Sequence, residues 1–408
     1  MEHIYLGREP ILDSNSSLKA YEILYNESTK ASRHTSAAII DAILNKFGTK
    51  RLIGKRRAFV KVDEKFLMHD LIFSVPKEFF IYSLVSSIEI DEKILERVEQ
   101  LHKKGYLISI DDTIITEEFF KKYANVFSLV SFVKLKLYAS KEVKKEWIQA
   151  LKQYNIKIVA VGLDTDDEYQ EAIELGCDLF QGYFFAQPKI LENSTYEPSQ
   201  TAILNLYNLL ISDAEIDKIT LAFEENHEIT LQLLQFINSG AFHFRNRISS
   251  IGQILTLMGK IPLSQWLMLM IYSKSLSKSS EISPLMIMIK HRTELMEKIL
   301  MALKPSASKH LLGEAYFVGV LSLIDVVFGV ELEDILSDMN ISQDVEDAIL
   351  KNEGLLGEIF TLVQAIEIFD VNYIMRFQEK YTLGDNLLEN IILESIESAN
   401  EFESPTRD

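Results

Sequence analysis

Only one cysteine, Cys177, occurs in 408 residues. It has no partner for an internal disulfide, it rules out a Cys-rich metal site, and it fits a reducing, cytoplasmic compartment. A secretory leader is also missing from the pattern: Met1-Glu2-His3 runs straight into the first apolar residues, with no basic n-region and no apolar h-region. Long hydrophobic runs are absent as well. The most apolar window, Ile261 to Tyr272, is short and interrupted by Ser264, Gln265 and Trp266, which excludes membrane insertion by that segment. Positive charge is scarce in the second half. Residues 201–408 hold 15 Lys and Arg against 30 Asp and Glu, whereas residues 1–200 hold 27 against 30. So acidic a half excludes nucleic acid as the partner, because that binding rests on cations that neutralise phosphates.

What remains is an ordinary globular composition, 47% hydrophobic and 25% charged, long enough for two or three domains. The break in charge falls beside Leu191-Glu-Asn-Ser-Thr-Tyr-Glu-Pro-Ser-Gln200, which reads as a linker. Before it, two strand-like runs (residues 4–12 and 18–25) precede an alternation of strand and helix patterns. The later strands read Ala58–Val62, Phe79–Ser83, Tyr106–Ile110, Ser131–Leu135, Ile156–Ala160 and the stretch L-F-Q-G-Y-F-F-A-Q-P over 179–188. Strands and helices at this spacing predict a compact (β/α)8 TIM-like barrel with an antiparallel start. Chemistry in such a barrel is carried at the C-terminal strand ends. Those positions hold Glu22, Lys61, Ser83, Asp111 with Asp112, Lys134 and Lys136, Val161, Asp164 and Gln181.

These strand ends carry a family resemblance. Y-E-I-L, I-S-I-D-D, F-V-K-L-K and L-F-Q-G-Y-F-F-A-Q-P, in this order, resemble the EAL family of cyclic-di-GMP phosphodiesterases over residues 1–190. The resemblance implies a site in which carboxylates and an Asn hold two divalent cations that clamp a phosphodiester and supply hydroxide. Glu22, Asp111, Asp112, Lys134 and Gln181 match the family pattern, and Asp164 stands in for a glutamate. Elsewhere the chain departs from it. Lys61 replaces the Asn ligand, Ser83 and Ser86 replace two glutamates, Lys136 replaces an Asp and Val161 a Glu. Asn26 occupies the place of a phosphate-binding arginine, and Glu9 that of a Gln. Hard cations need anionic oxygens, and an ammonium group about 4–6 Å from a divalent cation repels it by several kcal/mol even at an effective dielectric near 20. The expectation is therefore that no metal and no cofactor binds, and that Lys61 and Lys136 pair with Glu22, Asp111 and Asp112 to close the barrel mouth. His69-Asp70 resembles a metal dyad but reads as surface, since no second His cluster accompanies it.

From Thr201 the pattern is helical throughout. F-I-N-S-G-A-F (236–242), the following I-S-S-I-G-Q-I-L-T-L-M-G and F-V-G-V-L-S-L-I-D (317–325) resemble the HDOD domain, an all-helical relative of HD hydrolases. At the place of the HD metal dyad stand Ser322 and Leu323. His291 reads as surface or satisfied core, Asp325 as a buried hydrogen-bonding residue or helix cap, and the run Leu285 to Ile289 as core.

The organisation expected is therefore α/β plus all-α: an EAL-like barrel over 1–190, a linker over 191–200, a helical HDOD domain over 201–395 and an acidic tail over 396–408, disordered from Glu401. The resemblance implies a bacterial signal-transduction protein in motility or surface-attachment control, with a barrel of a kind that dimerises. The leading expectation is a protein that is not an enzyme and acts by protein–protein contact. The alternatives are a cyclic-di-GMP receptor that binds without cleaving and an active cyclic-di-GMP phosphodiesterase.

Overall fold

The structure, a computed structural model, describes residues 6–25, 36–137, 145–186, 198–230 apart from 213 and 228, 233, 250–275, 284–328, 331–337 and 341–403. Eight strands close into a barrel in chain order: β1 (Leu6–Leu12), β2 (Leu18–Tyr25), β3 (Arg57–Val62), β4 (Phe80–Leu84), β5 (Leu107–Thr113), β6 (Phe132–Leu135), β7 (Lys157–Val161) and β8 (Leu179–Gln181). β1 runs antiparallel to both of its neighbours, and β2 to β8 are parallel. The barrel and its antiparallel start are as the alternation of patterns predicts.

Strand alternation builds the interior in layers. Ile11, Ala20, Phe59, Ile81, Val159, Val161 and Leu179 form one apolar cluster, with Leu107 and Phe132 packed against it. Two residues further along their strands come Glu22, Lys61, Ser83, Ser109, Lys134 and Gln181. The polar layer therefore lies directly beyond an apolar plug, at the C-terminal ends of the strands. The opposite strand faces, among them Ala58, Val60, Ile108, Ile110, Ile158 and Phe180, join the larger core.

Local signals fix the connections. Asp91, Thr116 and Thr165 cap the helices Glu92–Lys103, Glu117–Tyr123 and Asp166–Leu175, and Thr165 forms a reciprocal capping box with Glu168. Gly176, left-handed at φ 94°, ends the last of these helices. Gly182, just after β8, has φ 146°, and a Cβ there would lie 2.0 Å from the Leu163 carbonyl oxygen. Only glycine lets the chain turn so close to another backbone.

Spatial grouping does not follow chain order. One compact unit joins Met1–Gln187, Glu281–His291 and Gln364–Asp408, and the other joins Pro188–Ser280 and Arg292–Val363. Within the first unit the helix Asp385–Glu403 returns to the barrel. Arg8 Nη1 donates to Asn400 Oδ1 at 2.7 Å, Asn400 Nδ2 donates to the Arg51 carbonyl at 2.6 Å, and Arg51 Nε pairs with Glu397 at 2.7 Å. Residues 396–403, expected in the acidic tail and from Glu401 as disordered, are the last turns of a packed helix. Their charges read as solvating, yet Ile396 and Ala399 are buried in the core. Residues 404–408 lie outside the described residues.

The second unit is helical. Its core includes Tyr207, Phe223, Leu263, Leu267 and Phe317, supplied in part by the helices Pro198–Ile211, Ile216–Glu225, Lys260–Ser275 and Lys309–Leu321. The motif 236–242 lies outside the described residues. Among the described residues, no helix is long and apolar enough to cross a membrane.

Candidate functional site

At the mouth of the barrel the residues picked out by the sequence meet around one lysine. Lys134, 3% exposed on β6, donates to Glu22 Oε2 at 2.5 Å and lies 3.2 Å from Asp111 Oδ1. Glu22 and Asp111 are each 1% exposed. Lys61 reaches the second Asp111 oxygen at 3.5 Å from a position partly open to solvent. Two carboxylates and two ammonium groups thus form a neutral cluster, with its buried half centred on Lys134. A buried pair persists only where Coulomb attraction and hydrogen bonds offset desolvation, and here Lys134 faces two acids at once.

The electrostatics follow from burial. Desolvation pulls the Glu22 carboxyl up to about 7; Lys134 opposes that shift, and the Asp111 charge adds to it. Burial alone would lower the Lys134 ammonium, but Glu22 and Asp111 outweigh it and the group is raised. On the neighbouring strands Gln181 Nε2 donates to Glu9 Oε2 at 2.7 Å, and burial raises Glu9. Three buried oxygens at these strand ends, Glu22 Oε1, Ser83 Oγ and Gln181 Oε1, have no hydrogen-bond partner. Buried polar atoms are usually satisfied, so three left open in one layer mark a place built to meet something else.

Not every residue singled out by the sequence arrives there. Ser86, Lys136 and Asp164 are exposed beyond the ends of β4, β6 and β7. Val161 is buried in the apolar plug. Asp112 lies in β5, but its side chain, like Asn26 as a whole, is outside what the structure describes. β6 stops at Leu135, and Lys136 follows it as an exposed residue. Ser109 was missed by the sequence reading. It is fully buried, pairs in register with Ser83 and sits two residues before Asp111 on β5, a position that alternation alone would have flagged.

The two-cation centre implied by the resemblance does not fit these donors. Asp111 and Glu22 are already bound to ammonium groups, and the adjoining strand ends offer Lys61, Ser83 and Val161 instead of carboxylates. Among the described residues, no three His, Cys, Asp or Glu side chains stand close enough to hold a metal. His69 caps a short helix, and Asp70 pairs with Arg97 at the surface. In the second unit, Ser322 accepts from the buried Arg292 at 2.7 Å. Asp325, raised by burial, caps its own turn through the Val326 amide.

The EAL domain family matches residues 60–188 and the HDOD domain family residues 200–347. The uncharacterized protein YuxH of Bacillus subtilis is 25% identical over 384 residues, covering 89% of this chain and 90% of its own. The cyclic di-GMP phosphodiesterase CdgJ of Vibrio cholerae is 25% identical over 379 residues, covering 90% and 85%. Among solved structures, the EAL domain of Mycobacterium smegmatis DcpA superposes with a TM-score of 0.36 at 16% identity, over 44% of this chain and 91% of that one. The expectation that the chain is not an enzyme is corrected by these relatives: one aligned along nearly the whole chain is named as a phosphodiesterase, and the loss of metal ligands alone did not warrant excluding activity. The chain carries an EAL domain followed by an HDOD domain.

Proposed function

We propose that the barrel mouth is a cyclic di-GMP site of the phosphodiesterase type, in which lysine ammonium groups supply the positive charge that cations would otherwise bring. The carrying observation is the set of unpartnered buried oxygens, Glu22 Oε1, Ser83 Oγ and Gln181 Oε1, beside Lys61 and Lys134. A cyclic dinucleotide offers two phosphate charges for the lysines, and its hydroxyl and ring N–H groups can donate to the open oxygens. Lys61, partly exposed, is placed to leave Asp111 for a phosphate.

Glu22 is the residue suited to proton transfer. A carboxyl near 7 holds enough base at neutral pH to take a proton from an attacking water. Lys134 sets its orientation and would stabilise charge that builds on the phosphoryl oxygens. Water adds to phosphorus, one P–O bond opens, and the ring becomes a linear dinucleotide.

The acidic second half, with twice as many Asp and Glu as Lys and Arg, supports readout through a basic protein surface. The test is incubation of the whole chain with cyclic di-GMP, followed by chromatography of the linear product. Product formed by the wild type and lost in Glu22→Gln, with binding retained, is the expected result. Equal product from both proteins would remove Glu22 from the reaction.

A further inference from the structure

The barrel closes along a short seam. β1 pairs with β2 from Leu6 to Leu12, but among the described residues it pairs with β8 only at Ile11 and Leu12, opposite Gln181 and Phe180. Toward the mouth, residues 6–10 of β1 therefore run beside the end of β8 without a shared ladder, as an edge strand does. The hydrogen bond from Gln181 to Glu9 spans that gap. Glu9 lies opposite Glu22 in the β1–β2 register, so the gap borders the polar layer of the mouth.

A loop from the other end of the chain crosses the seam. It joins the helices Gly354–Glu367 and Val371–Tyr381 and belongs to the same compact unit as the barrel. Tyr183, two residues after Gln181, donates its hydroxyl to the Glu367 carbonyl. Phe369 lies on Gly7, two residues before Glu9 and on the same face of β1 by strand alternation. A Cβ at Gly7 would stand 2.7 Å from the Phe369 ring, so the absence of a side chain is what admits it. Phe369 itself has φ 59°, a left-handed backbone that a bulky residue keeps only where its surroundings hold it. Here the Asp370 amide donates to the Ala365 carbonyl at 2.8 Å, and Asp370 caps the helix that follows. Ile368 beside it is 62% exposed, so the loop presents the ring, and not its aliphatic neighbour, to the barrel. Ordinary apolar packing requires neither a glycine beneath the ring nor a left-handed phenylalanine above it.

We infer that Phe369 and Tyr183 are positioning residues of the barrel mouth: with the Glu367 carbonyl they clasp β1 to the turn after β8 and hold Glu9 and Gln181 in place for the ligand. The role at the ligand rests on the reading of the mouth as a cyclic di-GMP site. Asp111 and Lys134 stand on β5 and β6, away from the seam, so releasing the clasp loosens one side of the mouth and leaves the charged cluster standing.

The test compares the full chain with Phe369→Ala, Tyr183→Phe and Gly7→Ala, by hydrogen exchange without ligand and by calorimetric titration with cyclic di-GMP. Expected in each variant is exchange at least tenfold faster in residues 7–12 and 181–185, unchanged exchange in the helix Glu92–Lys103, and binding at least fivefold weaker. Phe369→Tyr keeps the ring against Gly7 and should behave as wild type. Ring and glycine act through one contact, so Gly7→Ala combined with Phe369→Ala should lose no more affinity than either alone. Unchanged exchange at the seam, or faster exchange throughout the barrel, overturns the inference, as does binding that all three variants leave intact. Faster seam exchange in the variants of a chain that binds no cyclic di-GMP supports the clasp and counts against the reading of the mouth instead.

Discussion

Replacing Lys134 by Met keeps the length of the side chain and removes its charge, leaving Glu22 and Asp111 buried against each other. At an effective dielectric near 20, the contacts of 2.5 and 3.2 Å carry gross attractions of about 7 and about 5 kcal/mol. Desolvation of three charged groups cancels most of that. Measured losses on breaking a buried pair from one side run to about 3–5 kcal/mol, and this is the expected destabilisation at pH 8. The pH dependence has a fixed sign. Without Lys134, the Glu22 carboxyl moves further above its value of about 7, away from an unfolded value of 4.5. The folded variant then holds more protons than the unfolded chain across that window, so its stability falls as pH rises from 4.5 through the raised folded value. Chemical denaturation at pH 5, 6.5 and 8 measures this directly. Lys134→Met should recover stability toward pH 5, and the double variant Glu22→Gln/Lys134→Met should recover part of it at pH 8. A single variant as stable as wild type at pH 8 would refute the reasoning.

Three further outcomes follow from the fold. Gly182→Ala meets the Leu163 carbonyl oxygen at 2.0 Å and a φ of 146°, so it should lower stability by more than about 1 kcal/mol in denaturant titration; a neutral result would mean that the turn after β8 is not constrained as described. Asp63 caps the helix Glu64–Met68 and accepts from Ser36; burial pushes its carboxyl up, but hydrogen bonds from Ser36 and Phe66 outweigh that and hold it below the usual aspartate value. Its contribution is present above the unfolded value and lost as pH falls through the lowered folded value; Asp63→Ala should cost about 1 kcal/mol at pH 7, with the deficit shrinking in thermal melts as pH falls below the unfolded value. Asn400→Leu removes the bonds to Arg8 and Arg51, and should raise hydrogen exchange in residues 385–403 before the barrel strands respond; unchanged exchange would show that the last helix is held by its apolar face alone.

Alternation made the barrel legible. The run Ala58–Val62 falls within a residue of β3, and Tyr106–Ile110 starts within a residue of β5 and stops three short of its end, because a strand buried on both faces reads as a continuous apolar run. Glu22, Lys61, Asp111 and Lys134 were legible for a related reason: each lies two residues beyond an apolar plug residue on its own strand or, for Asp111, two beyond Ser109. Where a strand stops decides the remainder. Lys136 and Ser86 read as site residues, but β6 and β4 end before them, and no pattern marks so short an overrun. The return of 364–403 to the barrel was not legible, since an amphipathic helix declares that one face is buried without saying against what.

The most direct test of the central claim, that lysine charge serves the barrel mouth where metal would, is calorimetric titration of the full chain with cyclic di-GMP, first in excess EDTA and then in Mg²⁺. Saturable binding of equal affinity in both, weakened in Lys61→Met, is what the cluster of Glu22, Lys61, Asp111 and Lys134 predicts. Binding that appears only with the divalent ion, or no binding by the folded wild-type chain, would contradict it.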